Sequence, residues 1–250
     1  MKKIIPQALI ANAYRIFLHN SFFIISLFLI LITASVLFST IQEAMLESKS
    51  IQWSIFSIAS QLFTMGLSLG LSNTLMLLIK SKDTSVSQMF EKFDLIFRYL
   101  SATIIFSIAL IVAMIPGIII MSLSIDYSNM PTFNPIDYLL QNEKLDYNFI
   151  PISSMSIFSV LLMLAGFLYV YLRLQFYQYS ILYKNTSAIN ALKESFLITK
   201  DHIVDLSILL VIIILINVLG TLLIFGLFIS LPISMLAIIM AYFLLVENNE

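Results

Sequence analysis

Residues 21–41 read SFFIISLFLILITASVLFSTI, an apolar run without a single charged side chain. Wound as a helix, the run is about 31 Å long, which matches a hydrocarbon core of about 30 Å. Lipid offers no water to backbone groups, so a chain crosses it only as a helix or as part of a closed barrel. Barrel strands alternate polar and apolar residues over about ten positions. Here the apolar character is continuous, and the stretch reads as a transmembrane helix.

The same reading extends outward to residues 53–79, 99–123, 152–183, 206–226 and 227–246, all rich in Leu, Ile and Phe. Across the 250 residues, hydrophobic side chains make up 60% and charged ones 11%. A soluble domain carries about a quarter charged residues. The fold class is therefore all-α, a polytopic membrane bundle of six transmembrane helices. The chain reads as one transmembrane domain over residues 1–250.

Three connectors on one side share an amphipathic design. In residues 5–19, Leu9, Ala13, Ile16 and Phe17 fall on one helical face, with Gln7, Asn12, Arg15 and His19 largely elsewhere. In residues 85–98, Ser85 and Gln88 have capping-box spacing, and Met89, Phe93, Ile96, Phe97 and Leu100 follow helical spacing. In residues 187–200, Ile189, Leu192, Phe196 and Thr199 form the stripe, against Asn190, Lys193, Glu194 and Lys200. Such segments are expected to be elbow helices lying in the inner headgroup layer. Each elbow precedes two spans, giving three pattern-level units of about 1–80, 81–184 and 185–250.

Charge sets the expected orientation. Of the 13 lysines and arginines, only Lys49 and Lys144 fall in outer loops if the N-terminus is cytoplasmic. That bias puts both termini inside. The first run begins late and lacks an Ala-x-Ala exit, so it reads as a retained span rather than a cleaved signal. The sizeable outer loop, residues 124–150, has Asn134-Pro135 as a helix start before residues 136–141, and five aromatics suited to the outer interface.

Functional classes narrow next. There are no cysteines, and the histidines are His19 and His202. Thiolate chemistry is excluded and a histidine metal cluster is not expected. No catalytic or metal-ligating arrangement, no cofactor and no nucleic-acid surface is read. The span centres hold no Asp, Glu, Lys or His, which argues against a proton relay or an ion-coupled transporter.

Two polar constellations stand out. In the second span Ser54, Ser57, Gln61, Thr64, Ser68 and Ser72 recur at steps of three and four, beside the Gly66 and Gly70 pair. Asn217 and Thr221 lie mid-membrane in the fifth span, with Gly220 between them. Either group serves close helix packing or lines a hydrophilic pathway. Arg173 lies at the end of the fourth span, level with the start of the fifth. It either snorkels to lipid phosphate or forms an interhelical clamp with Asp205 or Asp201. Pro116-Gly117 is read as a kink near the outer end of the third span.

The string Ala191-Leu192-Lys193-Glu194-Ser195-Phe196, then Ile198-Thr199-Lys200-Asp201, precedes a span carrying Gly220, with Gly226 and Pro232 beyond. Tyr171-Leu172-Arg173-Leu174 lies upstream. Over residues 85–246 the chain resembles a family of bacterial six-span inner-membrane proteins related to the membrane domain of some glycerophosphodiester phosphodiesterases. The resemblance implies a multi-pass protein of the bacterial inner membrane. The soluble phosphodiesterase domain has no counterpart in these residues, so that activity is not implied. The expected function is a non-enzymatic accessory or scaffold protein that engages membrane lipids, a partner membrane protein or further copies of itself. The alternative is a small transporter or channel for an uncharged or amphipathic solute.

The orientation is directly testable, because the chain has no native cysteine. Single cysteines at Ser81, Asn142 and Asn249 can be probed on intact cells with an impermeant thiol reagent. Labelling is expected at position 142 alone; strong labelling at 81 or 249 would reverse the assigned topology.

Overall fold

The computed structural model describes residues 4–45, 50–124, 154–223 and 226–249. Every regular element among them is helical. The helices are α1 (Pro6–His19), α2 (Ser21–Met45), α3 (Ile51–Ile79), α4 (Ile96–Ser124), α5 (Ser154–Leu174), α6 (Tyr177–Lys184), α7 (Ala188–Ile198), α8 (Ile203–Leu222) and α9 (Leu227–Asn249). Two 3-10 turns, Val86–Phe90 and Phe93–Leu95, lead into α4. Six segments are long and apolar enough to cross a membrane. The chain is an all-α, multi-pass membrane protein. The Asn134-Pro135 helix start and the aromatic cap expected in the outer loop lie outside the described residues.

Compactness divides the chain differently from the three sequence units. One unit comprises Met1–Ile104 with Leu172–Glu250, and the other is Ile105–Tyr171. The boundaries fall inside α4 and α5, because a helix long enough to span a bilayer need not end where its neighbours change.

Within the first unit α9 is the central helix and packs on α1, α2, α3, α7 and α8. Its Leu236, Ala237, Ile239, Ala241, Tyr242 and Leu245 are wholly buried. Ser230, Ser234, Ala237 and Ala241 recur at steps of four, three and four, and all are buried. Lipid tails are as apolar as leucine, so burial of apolar area does not by itself draw spans together. Small residues let backbones approach and gain dispersion contacts instead. Aromatic rings fill the remaining volume: Tyr242 lies 6.1 Å from Phe176, 5.8 Å from Tyr179 and 6.2 Å from Tyr183, centroid to centroid.

The first elbow forms as its pattern requires. Proline occupies the first turn of α1, where its missing N–H costs nothing. Leu9, Ala13 and Phe17 are buried, while Gln7, Asn12, Arg15 and His19 are exposed. Asn20 ends the helix, its side-chain amide donating to the Ile16 carbonyl at 3.1 Å.

The second elbow differs from the expected α-helix over 85–98. Its 3-10 turns place Met89 and Leu95, six residues apart, both in the buried interior. The two lie in separate 3-10 turns joined by a turn at Glu91-Lys92. The Ser85–Gln88 capping box is formed, with Gln88 Oε1 accepting from the Ser85 N–H at 3.3 Å. The cause of the tight winding lies on α3. A Cβ at Gly70 would overlap the Met89 backbone, and one at Gly66 would come within 2.7 Å of the Phe93 ring. The glycine pair thus seats this connector against α3 rather than a second span.

In the second unit, α4 continues through Pro116 without ending. Gly117 faces the Ser159 carbonyl and Met163 of α5, and Gly166 faces the Ala113 carbonyl. The Pro-Gly pair therefore serves a close helix crossing. Phe106 and Phe167 flank Tyr171 at 6.4 and 6.1 Å.

Gly70→Ala is expected to destabilise the protein by about 1–3 kcal/mol, because rigid backbone must move. Gly66→Ala is expected to cost less, since the Phe93 ring can turn aside. Thermal unfolding in lipid nanodiscs compares them; negligible loss in both would mean that the connector does not rest on α3.

Candidate functional site

The expected fourth span runs unbroken to residue 183, but the chain breaks at Gln175-Phe176, between α5 and α6. Phe176 adopts φ −89° and ψ 0°, outside the helical range. A break frees backbone groups that lipid cannot satisfy. Here two hydroxyls of α7 take them up. Ser195 Oγ accepts from the Phe176 N–H at 3.1 Å and donates to the Arg173 carbonyl at 2.9 Å. Thr199 Oγ1 donates to that same carbonyl at 3.2 Å and to its own helix at Ser195 O, 2.8 Å. Ser195 and Thr199 are both wholly buried. A hydroxyl can donate and accept together, which suits it to a helix break where one donor and one acceptor are orphaned side by side.

Further polar contacts fix α6 and α7. Lys184 Nζ pairs with Glu194 at 2.7 Å, and Ser180 Oγ donates to the other Glu194 oxygen at 2.5 Å. Asn185 caps α6 in the left-handed region at φ 54°, a conformation asparagine tolerates well. Arg98 donates to both the backbone and side-chain oxygens of Asn185. Tyr177 stacks on Tyr99 at 5.7 Å and hydrogen-bonds Thr103 at 2.9 Å. Lys80 Nζ donates to the Tyr183 hydroxyl at 2.7 Å.

Arg173 departs from the clamp read in the sequence. Among the described residues no ion pair joins it to Asp205 or Asp201. Asp205 lies instead 3.8 Å from His202, one turn back on its own helix, and Asp201 is exposed. The guanidinium lies over the Phe196 ring, with Cζ 3.7 Å from its centroid. Arg173 does tie the end of α5 to α7, but through its carbonyl. The side chain is 3% exposed, and Nε and Nη1 have no hydrogen-bond partner among the described residues.

The stripe expected on the third elbow is also rotated. Ala191, Leu192, Ser195, Ile198 and Thr199 face inward, while Ile189 and Phe196 are exposed. Hydrophobicity alone ranks Phe196 above Ser195 for burial, but the unpaired backbone at the α5–α6 break needs the hydroxyl. The signal in the sequence was Ser195 and Thr199 at a spacing of four inside an otherwise amphipathic helix.

The polar ladder of α3 bonds mostly within its own helix. Gln61 Nε2 donates to Ser57 Oγ at 3.2 Å, Thr64 to Ser60 O at 2.9 Å, and Ser72 to Ser68 O at 3.0 Å. Gln61 is exposed, whereas Ser72 is buried. Asn217 crosses to α9, its Nδ2 donating to Ser234 Oγ at 2.9 Å and to Ile213 O at 2.9 Å. Thr221 Oγ1 returns to Asn217 O at 2.6 Å. Among the described residues no hydrogen bond joins the ladder to Asn217 or Thr221.

These features define a multi-pass membrane protein with a braced break at the end of its fourth span. No protein-family model, curated protein or solved structure matches the chain.

Ser195→Ala leaves the Phe176 N–H unpaired and is expected to cost about 1–3 kcal/mol. Thr199→Val is expected to cost less, because Ser195 still serves the Arg173 carbonyl. The double variant should exceed the sum of the two, since it orphans that carbonyl as well. Thermal unfolding reads the energies, and hydrogen exchange at the Phe176 amide reads the brace. An unchanged exchange rate in Ser195→Ala would contradict it.

Proposed function

We propose that this protein is a non-enzymatic accessory or scaffold protein of the bacterial inner membrane, with both termini in the cytoplasm. It engages lipids or a partner membrane protein through its elbows and span surfaces, in keeping with the resemblance to six-span inner-membrane proteins. The observation that carries this reading is where the polar groups of the spans are spent. Gln61, Thr64, Ser72 and Thr221 bond within their own helices, and Asn217 bonds α8 to α9. The intrahelical bonds neutralise these groups in lipid, and the Asn217 bond ties one helix to the next. A solute pathway needs the same groups turned toward a polar cavity at mid-membrane.

Two grooves in the first unit point the same way. One is lined by Ile5, Ala8, Leu9, Asn12, Ile79, Met240, Phe243 and Leu244. The other is lined by Leu174, Leu192, Lys193, Phe196 and Leu197. Both are mainly apolar, and neither contains Gln61, Thr64 or Asn217. Surfaces of this chemistry receive acyl chains or apolar helices more readily than hydrated solutes. Val211, Leu215 and Val218 of α8 are further exposed apolar side chains of the same unit, and Ile108, Ile111 and Val112 of α4 are exposed in the second unit.

Reconstitution into liposomes loaded with small uncharged solutes tests the proposal. Efflux is expected to match that of protein-free liposomes. Faster efflux that Asn217→Leu or Gln61→Leu abolishes would replace the scaffold reading with transport.

A further inference from the structure

We propose that Arg173 and the outer face of α7 form a binding site for the phosphodiester of an anionic phospholipid in the inner leaflet. This rests on the proposed reading that the protein engages lipids, and it names the lipid class and the place.

The first observation is an uncompensated cation. Arg173 is 3% exposed, and its Nε and Nη1 find no partner among the described residues. A buried charge is costly unless it is paired and hydrogen-bonded. The nearby carboxylates do not serve it: Glu194 is held by Lys184 and Ser180, and Asp205 sits beside His202. The face of the Phe196 ring attracts the guanidinium but accepts none of its in-plane N–H groups. A guanidinium presents a planar fork that suits phosphate oxygens.

The second observation is the surface beside it. Ile189, Lys193, Phe196 and Leu197 recur at steps of four, three and one, so they share one face of α7, and all are exposed, as is Lys200 just past its end. Lys193, Phe196 and Leu197 also line a groove with Leu174 and Leu192. Basic and large apolar side chains on one exposed face suit a helix at the headgroup boundary. Phe196 belongs to both features: its ring covers the guanidinium and forms part of the groove wall.

Depth selects a lipid over free phosphate. Arg173 follows the first residue of α5 by nineteen positions, about 29 Å of helix, which places it one hydrocarbon thickness along the span. In the assigned orientation that is the inner headgroup layer. The apolar groove would take the upper part of an acyl chain. The phosphate would meet Lys193 first, and a turn of the Phe196 side chain would open Arg173 to it. Lys200 adds a charge just past the end of α7, and the anionic lipid pairs a cation that finds no carboxylate among the described residues.

The test compares phosphatidylglycerol with phosphatidylcholine by native mass spectrometry of protein released from mixed nanodiscs. The wild type is expected to retain phosphatidylglycerol at least tenfold over phosphatidylcholine. Arg173→Gln and Lys193→Glu should each lower that preference severalfold, and Phe196→Ala should keep it. Lys193 is exposed, so its variant reads the site even if Arg173→Gln fails to fold. Equal retention of the two lipids by the wild type, or an unchanged preference in Lys193→Glu, would overturn the site. Thermal stabilisation by inorganic phosphate equal to that by phosphatidylglycerol would overturn the lipid assignment in favour of a free anion. Solute efflux with lipid preference intact would remove the scaffold reading and leave this site standing; no efflux and no preference would do the reverse.

Discussion

A backbone group inside a membrane cannot turn to water, so wherever a helix is interrupted the protein must supply the missing partner. The interruption at Gln175-Phe176 meets that demand through the Ser195 and Thr199 hydroxyls. Much of the surrounding arrangement follows from it. The break redirects the chain into α6, which carries Tyr179 and Tyr183 into the aromatic cluster around Tyr242 and stacks Tyr177 on Tyr99. It also brings Asn185 under Arg98 and Lys184 to Glu194. The third elbow is an internal brace, with Ile189, Phe196 and Leu197 exposed on its other face.

The same trade between polar satisfaction and apolar exposure runs through the rest of the molecule. The serines and threonines of α3 return their hydrogen bonds to their own carbonyls, which neutralises them without tying helices together. Association relies instead on small residues. Gly70 admits the backbone of the second connector, and Ser230, Ser234, Ala237 and Ala241 admit the neighbours of α9. Asn217 adds a directional bond where α8 meets α9. Close approach and a few placed hydrogen bonds are the forces available when the solvent itself is apolar.

Arg173 shows how a single residue can hold two roles. Its carbonyl belongs to the brace, and its side chain is buried over Phe196. Reading the side chain as a clamp to Asp205 used depth alone. Depth bears on level and not on azimuth, and on α8 Asp205 turns toward His202. A charge stripped of water, with no carboxylate paired to it among the described residues, is what motivates the proposed anion site.

The sequence by itself determined the class of this protein. Continuous apolar runs of bilayer length leave a helix as the only structure that satisfies its own backbone, and that argument needs no tertiary information. The first elbow was legible for a similar reason: Leu9, Ala13 and Phe17 repeat with the helical period, and proline marks the start. Only the tertiary structure decided the rest. The second elbow winds as 3-10 turns because Gly66 and Gly70 on a different helix let it come close. The fourth span breaks at Phe176 because hydroxyls about twenty residues later receive its free groups. The third elbow buries Ser195 and exposes Phe196 for the same cause. Periodicity records the preference of each segment against an average solvent, whereas these features were set by particular neighbours far away in the chain.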